Sequence, residues 1–68
     1  MSEPIVKIKH VRAARLCTGG ARRWFASRGL DWNVFLRDGL PASVIGQFGD
    51  PIAARAIEEA EKDQDNGG

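Results

Sequence analysis

Apolar residues recur at helical rather than strand spacing over most of this chain. From His10 to Arg28, Val11, Ala14, Cys17, Ala21, Trp24 and Phe25 hold one phase at ~100° per residue, with Arg12, Arg15, Arg22 and Arg23 in an arc beyond that apolar side. Thr18-Gly19-Gly20 interrupts the segment, and an interior glycine costs about 1 kcal/mol relative to alanine. The apolar phase survives the glycine pair, which favours one continuous helix over two short pieces. Gly29 is its natural stop.

The punctuation downstream predicts three more helices. Asp31 caps a short helix from Trp32 to Arg37 or Asp38, which Gly39 ends. Pro41 suits the first position of a helix over residues 41–48, closed by Gly49. Asp50-Pro51 reads as N-cap and first residue of a helix to about Lys62. Its apolar stripe is Ile52, Ala53, Ala56, Ile57 and Ala60, opposite Glu58, Glu59 and Glu61. Upstream, Ile5-Val6-Lys7-Ile8-Lys9 has the β-branched, partly alternating character of a short strand. With no second strand predicted, it reads as an extended arm, or as a strand that pairs between molecules.

These elements predict an all-α fold: a small single-domain bundle of about four helices, one longer and N-terminal, two short, and one amphipathic and C-terminal. The extended arm occupies residues 1–9, the helical domain 10–62 and a flexible tail 63–68. The predicted core is Val11, Leu16 or Cys17, Trp24, Phe25, Leu30, Trp32, Phe35, Leu36, Leu40, Val44, Ile45, Phe48, Ile52 and Ile57. A chain of 68 residues buries only about 60% of its unfolded surface, so the aromatic side chains carry much of that core.

Composition narrows the chemistry. A single cysteine forms no intrachain disulfide, and Cys17 with the lone His10 falls short of the four ligands of a structural zinc site, so no metal and no cofactor are expected. No apolar run nears the ~18 residues of a membrane span, and Met1-Ser2-Glu3-Pro4 does not open like a signal peptide. The expectation is therefore a reducing cytoplasm and no membrane partner. His10 and Cys17 lie about 10 Å apart along a continuous helix, too far for proton transfer over ~3 Å. No Ser-His-Asp set, paired carboxylates or glycine-rich phosphate loop accompanies them. The chain therefore reads as no enzyme, with no small-molecule substrate evident. Cys17 is read as a small buried hydrophobe, and His10 as an N-terminal helix residue.

Charge is the most informative feature. The formal net charge is only +1, yet residues 1–28 carry +6, residues 29–50 carry −2 and residues 51–68 carry −3. This asymmetry suits a nucleic-acid contact, an acidic partner or head-to-tail self-association, unless the two blocks pair with each other in the fold. Arg12, Arg15, Arg22 and Arg23 are the candidate partner or nucleic-acid face. Residues 31–50 also match a helix-turn-helix at Val34, Gly39, Leu40, Ile45 and Phe48, although Asp38 breaks the apolar pattern. The would-be recognition helix has no lysine or arginine, and only Ser43 and Gln47 to reach a base edge. Two helices packed around a tight turn are the simpler reading.

Val11-Arg-Ala-Ala-Arg-Leu-Cys17, Gly20-Ala-Arg-Arg-Trp-Phe25, Gly29-Leu-Asp-Trp32, Phe35-Leu-Arg-Asp-Gly39 and Gly49-Asp50, with the Ala- and Ile-rich last helix, together resemble a family of small proteins. The family is encoded in tailed-phage and prophage regions of Gram-negative bacteria. The resemblance covers most of the chain through fold-determining residues and brings no catalytic residues with it. Gly19 departs from it, standing where such sequences better accommodate a basic residue. The resemblance implies a phage product in the bacterial host cytoplasm or on the virion. Such a product would serve assembly through contacts with other phage structural proteins or with itself. The alternative is a small nucleic-acid-binding regulator using the arginine face or the helix-turn-helix.

Overall fold

The computed structural model describes residues 3–66, with the side chains of residues 3–64. The elements run β1 (Ile5–Val6), α1 (Ile8–Ala13), α2 (Thr18–Ser27), α3 (Trp32–Asp38), β2 (Leu40–Pro41), α4 (Ala42–Gly46) and α5 (Pro51–Asn66). The fold is mostly helical, as the apolar periodicity requires, but it is neither purely α nor a four-helix bundle. Among the described residues, five helices accompany a two-stranded antiparallel sheet that packs on α4 and α5.

The long N-terminal helix is the main correction. The chain breaks between α1 and α2 at Ala14–Cys17, ahead of the glycine pair, and Gly19 and Gly20 are helical residues in the first turn of α2. The turn is a Schellman motif. The Leu16 N–H donates to the Val11 carbonyl (3.1 Å), the Arg15 N–H donates to the Arg12 carbonyl (2.9 Å), and Arg15 takes the left-handed conformation at φ 61°. The carbonyl of Ala14 accepts from Arg55 Nη2 on α5 at 3.0 Å, so a helix-end acceptor finds a partner from another element. A continuous helix over residues 10–28 would be about 28 Å long. Folding it back instead lets α1 lie on α5 while α2 reaches α3. The apolar phase persisted across the break because both helices face the same core.

The arm is likewise tied down. Ile5 pairs with Pro41 and Val6 with Leu40, so the strand finds its partner inside the chain and the isolated extended arm over residues 1–9 is not observed. The Ala42 N–H donates to the Pro4 carbonyl at 3.0 Å, and the Glu3 carboxylate accepts from the Ser43 hydroxyl (2.9 Å) and N–H (3.3 Å). Gly39 makes room for this pairing. It ends α3 with φ 78°, and a Cβ there would stand 2.8 Å from the Val6 carbonyl oxygen. Residues 1–2 of the predicted arm lie outside the described residues.

The predicted caps of α3 and α5 form. Asp31 Oδ1 accepts from the N–H groups of Asn33 (2.9 Å) and Val34 (3.2 Å), and Asp50 Oδ1 accepts from the Ile52 N–H (2.8 Å). Pro41 closes β2 rather than opening a helix, and α4 spans only Ala42–Gly46. The last helix continues through Asn66, so the tail predicted from residue 63 is helical over its described part.

Phe35 and Val6 are the largest fully buried side chains. Around them pack Val11, Ala21, Phe25, Ala42, Ile45 and the alanines 53, 56 and 60 of α5. Small side chains on α5 allow the other elements close approach, so alanine fills much of a core expected to be large and aromatic. Trp24, Trp32, Leu30 and Leu40 are half-buried at its edge. Leu36, Phe48 and Ile52, placed in the core by periodicity, are exposed instead.

Candidate interaction surface

The break between α1 and α2 divides the predicted arginine face. Arg12 sits on α1, Arg15 in the left-handed turn and Arg22 and Arg23 on α2, all four exposed. None of them forms an ion pair among the described residues. Lys9, Arg28, Arg37 and Lys62 do, with Asp63, Asp50, Asp38 and the Glu58/Glu59 pair respectively. Arg15 lines a hollow with Arg55, Glu58 and Glu59, whereas Arg23 lines a separate groove. Among the described residues, the basic and acidic ends of the chain are thus bridged by Lys9, whose Nζ lies 2.9 Å from Asp63, and by His10 beside it.

His10 is not the exposed helix-start residue that its position suggests. It is buried on α1, where Nδ1 accepts from the Lys7 N–H (2.9 Å) and so closes the helix start. With Nδ1 accepting, the neutral ring carries its proton on Nε2, which donates to Asp63 Oδ2 at 3.1 Å. The hydrogen bond from Lys9, followed by that from His10, holds the Asp63 carboxyl below the usual carboxylate range. Nothing in the local sequence marks this link, because its partners lie 53 positions apart.

Cys17 is exposed, which corrects its assignment to the core. It stands at the N-cap of α2, and the backbone N–H groups of Gly20 and Gly19, with the charge of Arg23, lower the thiol pKa. The glycine pair that suggested a helix break therefore sits where backbone donors turn toward a sulfur atom.

The densest polar cluster gathers at the start of α5. Asp50 Oδ2 accepts from Trp24 Nε1 (2.9 Å) and Arg28 Nη2 (3.1 Å), while its other oxygen caps the helix. The Trp24 hydrogen bond, then that from the Ile52 N–H and the charge of Arg28, depress the Asp50 pKa. The Arg28 guanidinium also lies 4.7 Å from the centre of the Trp24 ring and 5.7 Å from that of Phe48. Trp24 and Phe48 meet edge to face at 5.5 Å. This cluster braces an apolar shelf on which Phe48 is 38% and Ile52 46% exposed. An open groove runs from it between α2 and α5, floored by Leu16, Ala21, Trp24 and Ile52 and edged by Arg23. A second groove on the α4 side is lined by Pro51, Ala54, Ile57, Glu58 and Glu61.

Over residues 31–50, α3 and α4 are joined by Gly39 and the two residues of β2. Ser43 is bonded to Glu3, and Gln47 Nε2 donates to the Val44 carbonyl at 2.8 Å, so both side chains suited to base edges are engaged within the chain. Among the described residues no three His, Cys, Asp or Glu side chains group as metal ligands, and no helix is long and apolar enough to cross a membrane.

No protein-family model matches the chain, and neither curated proteins nor solved structures give a match.

Proposed function

We propose that this chain is a non-enzymatic phage or prophage protein that works in virion assembly through protein contacts. The observation that carries the reading is the shelf of Phe48 and Ile52, exposed large apolar residues held in place by the Asp50–Trp24–Arg28 cluster. Exposed apolar surface rimmed by charge is how soluble domains present a docking site. The likeness of residues 11–60 to small phage proteins supplies the biological setting, in the host cell or on the particle. Deleting the gene and examining lysates by electron microscopy tests the role. Loss or malformation of particles is the expected result, and normal infectious particles would overturn it.

One observation favours a second reading, nucleic-acid binding. Arg12, Arg15, Arg22 and Arg23 all lack ion-pair partners among the described residues. If three or four of them meet phosphates, affinity for duplex DNA falls with salt at a log–log slope of about −3. Replacing Arg12, Arg15 and Arg22 together then abolishes binding. Absence of binding at low salt removes this reading.

A further inference from the structure

We propose that Trp24, Phe48 and Asp50 form a binding corner for the guanidinium of an arginine on a partner protein, and that Arg28 fills this corner from within the chain until the partner displaces it. The proposal rests on the protein-contact reading and names the chemistry of the partner. Arg28 lies within cation–π reach of both rings, 4.7 Å from the centre of Trp24 and 5.7 Å from that of Phe48. The two rings stand at 88° to each other and make two walls of the corner. Asp50 Oδ2 closes it, 3.1 Å from Arg28 Nη2. Two rings and a carboxylate suit a flat, weakly hydrated cation that stacks on its face and hydrogen-bonds at its edge.

The corner is held together without its occupant. Asp50 Oδ2 also accepts from Trp24 Nε1 (2.9 Å), and Oδ1 accepts from the Ile52 N–H (2.8 Å). Trp24 in turn packs edge to face on the buried Phe25, with ring centres 5.6 Å apart. The hydrogen bonds from Trp24 and then Ile52 lower the Asp50 pKa more than the charge of Arg28 does, so the carboxylate stays ionised when that charge leaves. Arg28 is held more loosely than the walls. Its side chain is 30% exposed, and Nη1 donates to the exposed Ser27 hydroxyl (2.8 Å), a bond that water replaces. Trp24 and Ser27 also line the groove between α2 and α5, so a partner segment lying there reaches the corner. Exchanging one guanidinium for another conserves the charge and ring contacts, and apolar contacts of the partner with the exposed Phe48 and Ile52 favour the exchange. The seated Arg28 lowers the apparent affinity by the fraction of molecules whose corner is open, about tenfold for about one molecule in ten.

An NMR titration of the full chain tests the proposal, using a blocked tripeptide of arginine between two leucines and following the assigned Trp24 indole N–H. The peptide should bind the unaltered chain weakly and Arg28→Ala about tenfold more tightly. Asp50→Asn, which keeps the helix cap but not the charge, should weaken binding to Arg28→Ala about tenfold. The lysine counterpart of the peptide should bind less well than the arginine peptide. In the unaltered chain, saturating peptide should move the Arg28 Nε–H resonance to that of a solvated arginine, a readout that needs no variant to fold. Absence of binding to both chains overturns the proposal, as does equal affinity of the two with helical circular dichroism intact. So does binding indifferent to Asp50→Asn, equal binding of the lysine peptide, or an Arg28 resonance that stays in place while the Trp24 signal shifts. These results decide the arginine site; the assembly role stands or falls separately, on the particles from the deletion strain.

Discussion

The ends of α1 and α2 close with the same pair of hydrogen bonds around different residues. After α2, the Leu30 N–H donates to the Phe25 carbonyl (2.9 Å) and the Gly29 N–H to the Ala26 carbonyl (3.2 Å), with Gly29 left-handed at φ 70°. After α1, Leu16 and Arg15 donate to Val11 and Arg12 in the same register, with Arg15 left-handed at φ 61°. A glycine bears that conformation without steric cost, whereas a residue with a Cβ loses about 1 kcal/mol. Turn chemistry alone therefore specifies the end of α2. The end of α1 forms against local preference and is held by what surrounds it: Val11 and Leu16 in the core and the Arg55 guanidinium on the Ala14 carbonyl. A helix end stabilised by tertiary contacts carries no local signature.

Substitutions sharpen this contrast, and urea denaturation reads them. Phe25→Ala should cost the most, ~3–5 kcal/mol, a large share of the stability of so small a domain. Val11→Ala, at the equivalent position of the first turn, should cost about 2 kcal/mol. The two left-handed residues should then respond with opposite signs. Gly29→Ala should destabilise by about 1 kcal/mol through backbone strain alone, since nothing lies within 4 Å of the Cβ it would add. Arg15→Gly should stabilise by up to about 1 kcal/mol, less the entropy that glycine adds to the unfolded chain. A loss of stability in Arg15→Gly would mean that its side chain, rather than its backbone, secures the turn. Gly19→Ala should stabilise by a few tenths of a kcal/mol, because the added Cβ makes only an ordinary 3.7 Å contact with Cys17 Sγ.

The acid response compares the two ends of α5. Asp50 and Asp63 both have depressed pKa values in the folded state. Each therefore contributes stability that is fully present above the unfolded carboxylate value of about 3.9 and is lost as pH falls through the lower folded value. Stability should decline below about pH 4. Asp63→Asn should flatten that decline by uncoupling Lys9 and His10, and Asp50→Asn by weakening the hold on Trp24 and Arg28. Thermal melts from pH 2 to pH 6 would show both, and an Asp63→Asn profile superimposable on the parent would sink the Asp63 assignment.

The candidate surface was only partly legible beforehand. The charge asymmetry and the four arginines Arg12, Arg15, Arg22 and Arg23 could be read from residue order, but their grouping could not, because it assumed one helix where there are two. Phe48 and Ile52 have the spacing of core residues and lie outside it. Helical periodicity reports which side of a segment is apolar; Phe48 lies in the turn beyond α4, and Ile52 stands at the edge of the apolar side of α5. Cys17 was misplaced for the same reason: it shares the phase of Val11 and Ala21, but the backbone turns away from the core just before it.

What the sequence determined by itself lies within a few residues of its cause. Asp31 and Asp50 start helices through their own carboxylates, Gly29 and Gly39 end them through the left-handed backbone they tolerate, and the alanine spacing of α5 sets its buried side. The tertiary structure decided everything whose partners are far apart in the chain. It paired Val6 with Leu40, locked His10 to Asp63 and placed an arginine where a glycine is favoured. Propensity and capping act over one helical turn, whereas those choices depend on which segments the core brings together, and burial there outweighs about 1 kcal/mol of local backbone preference.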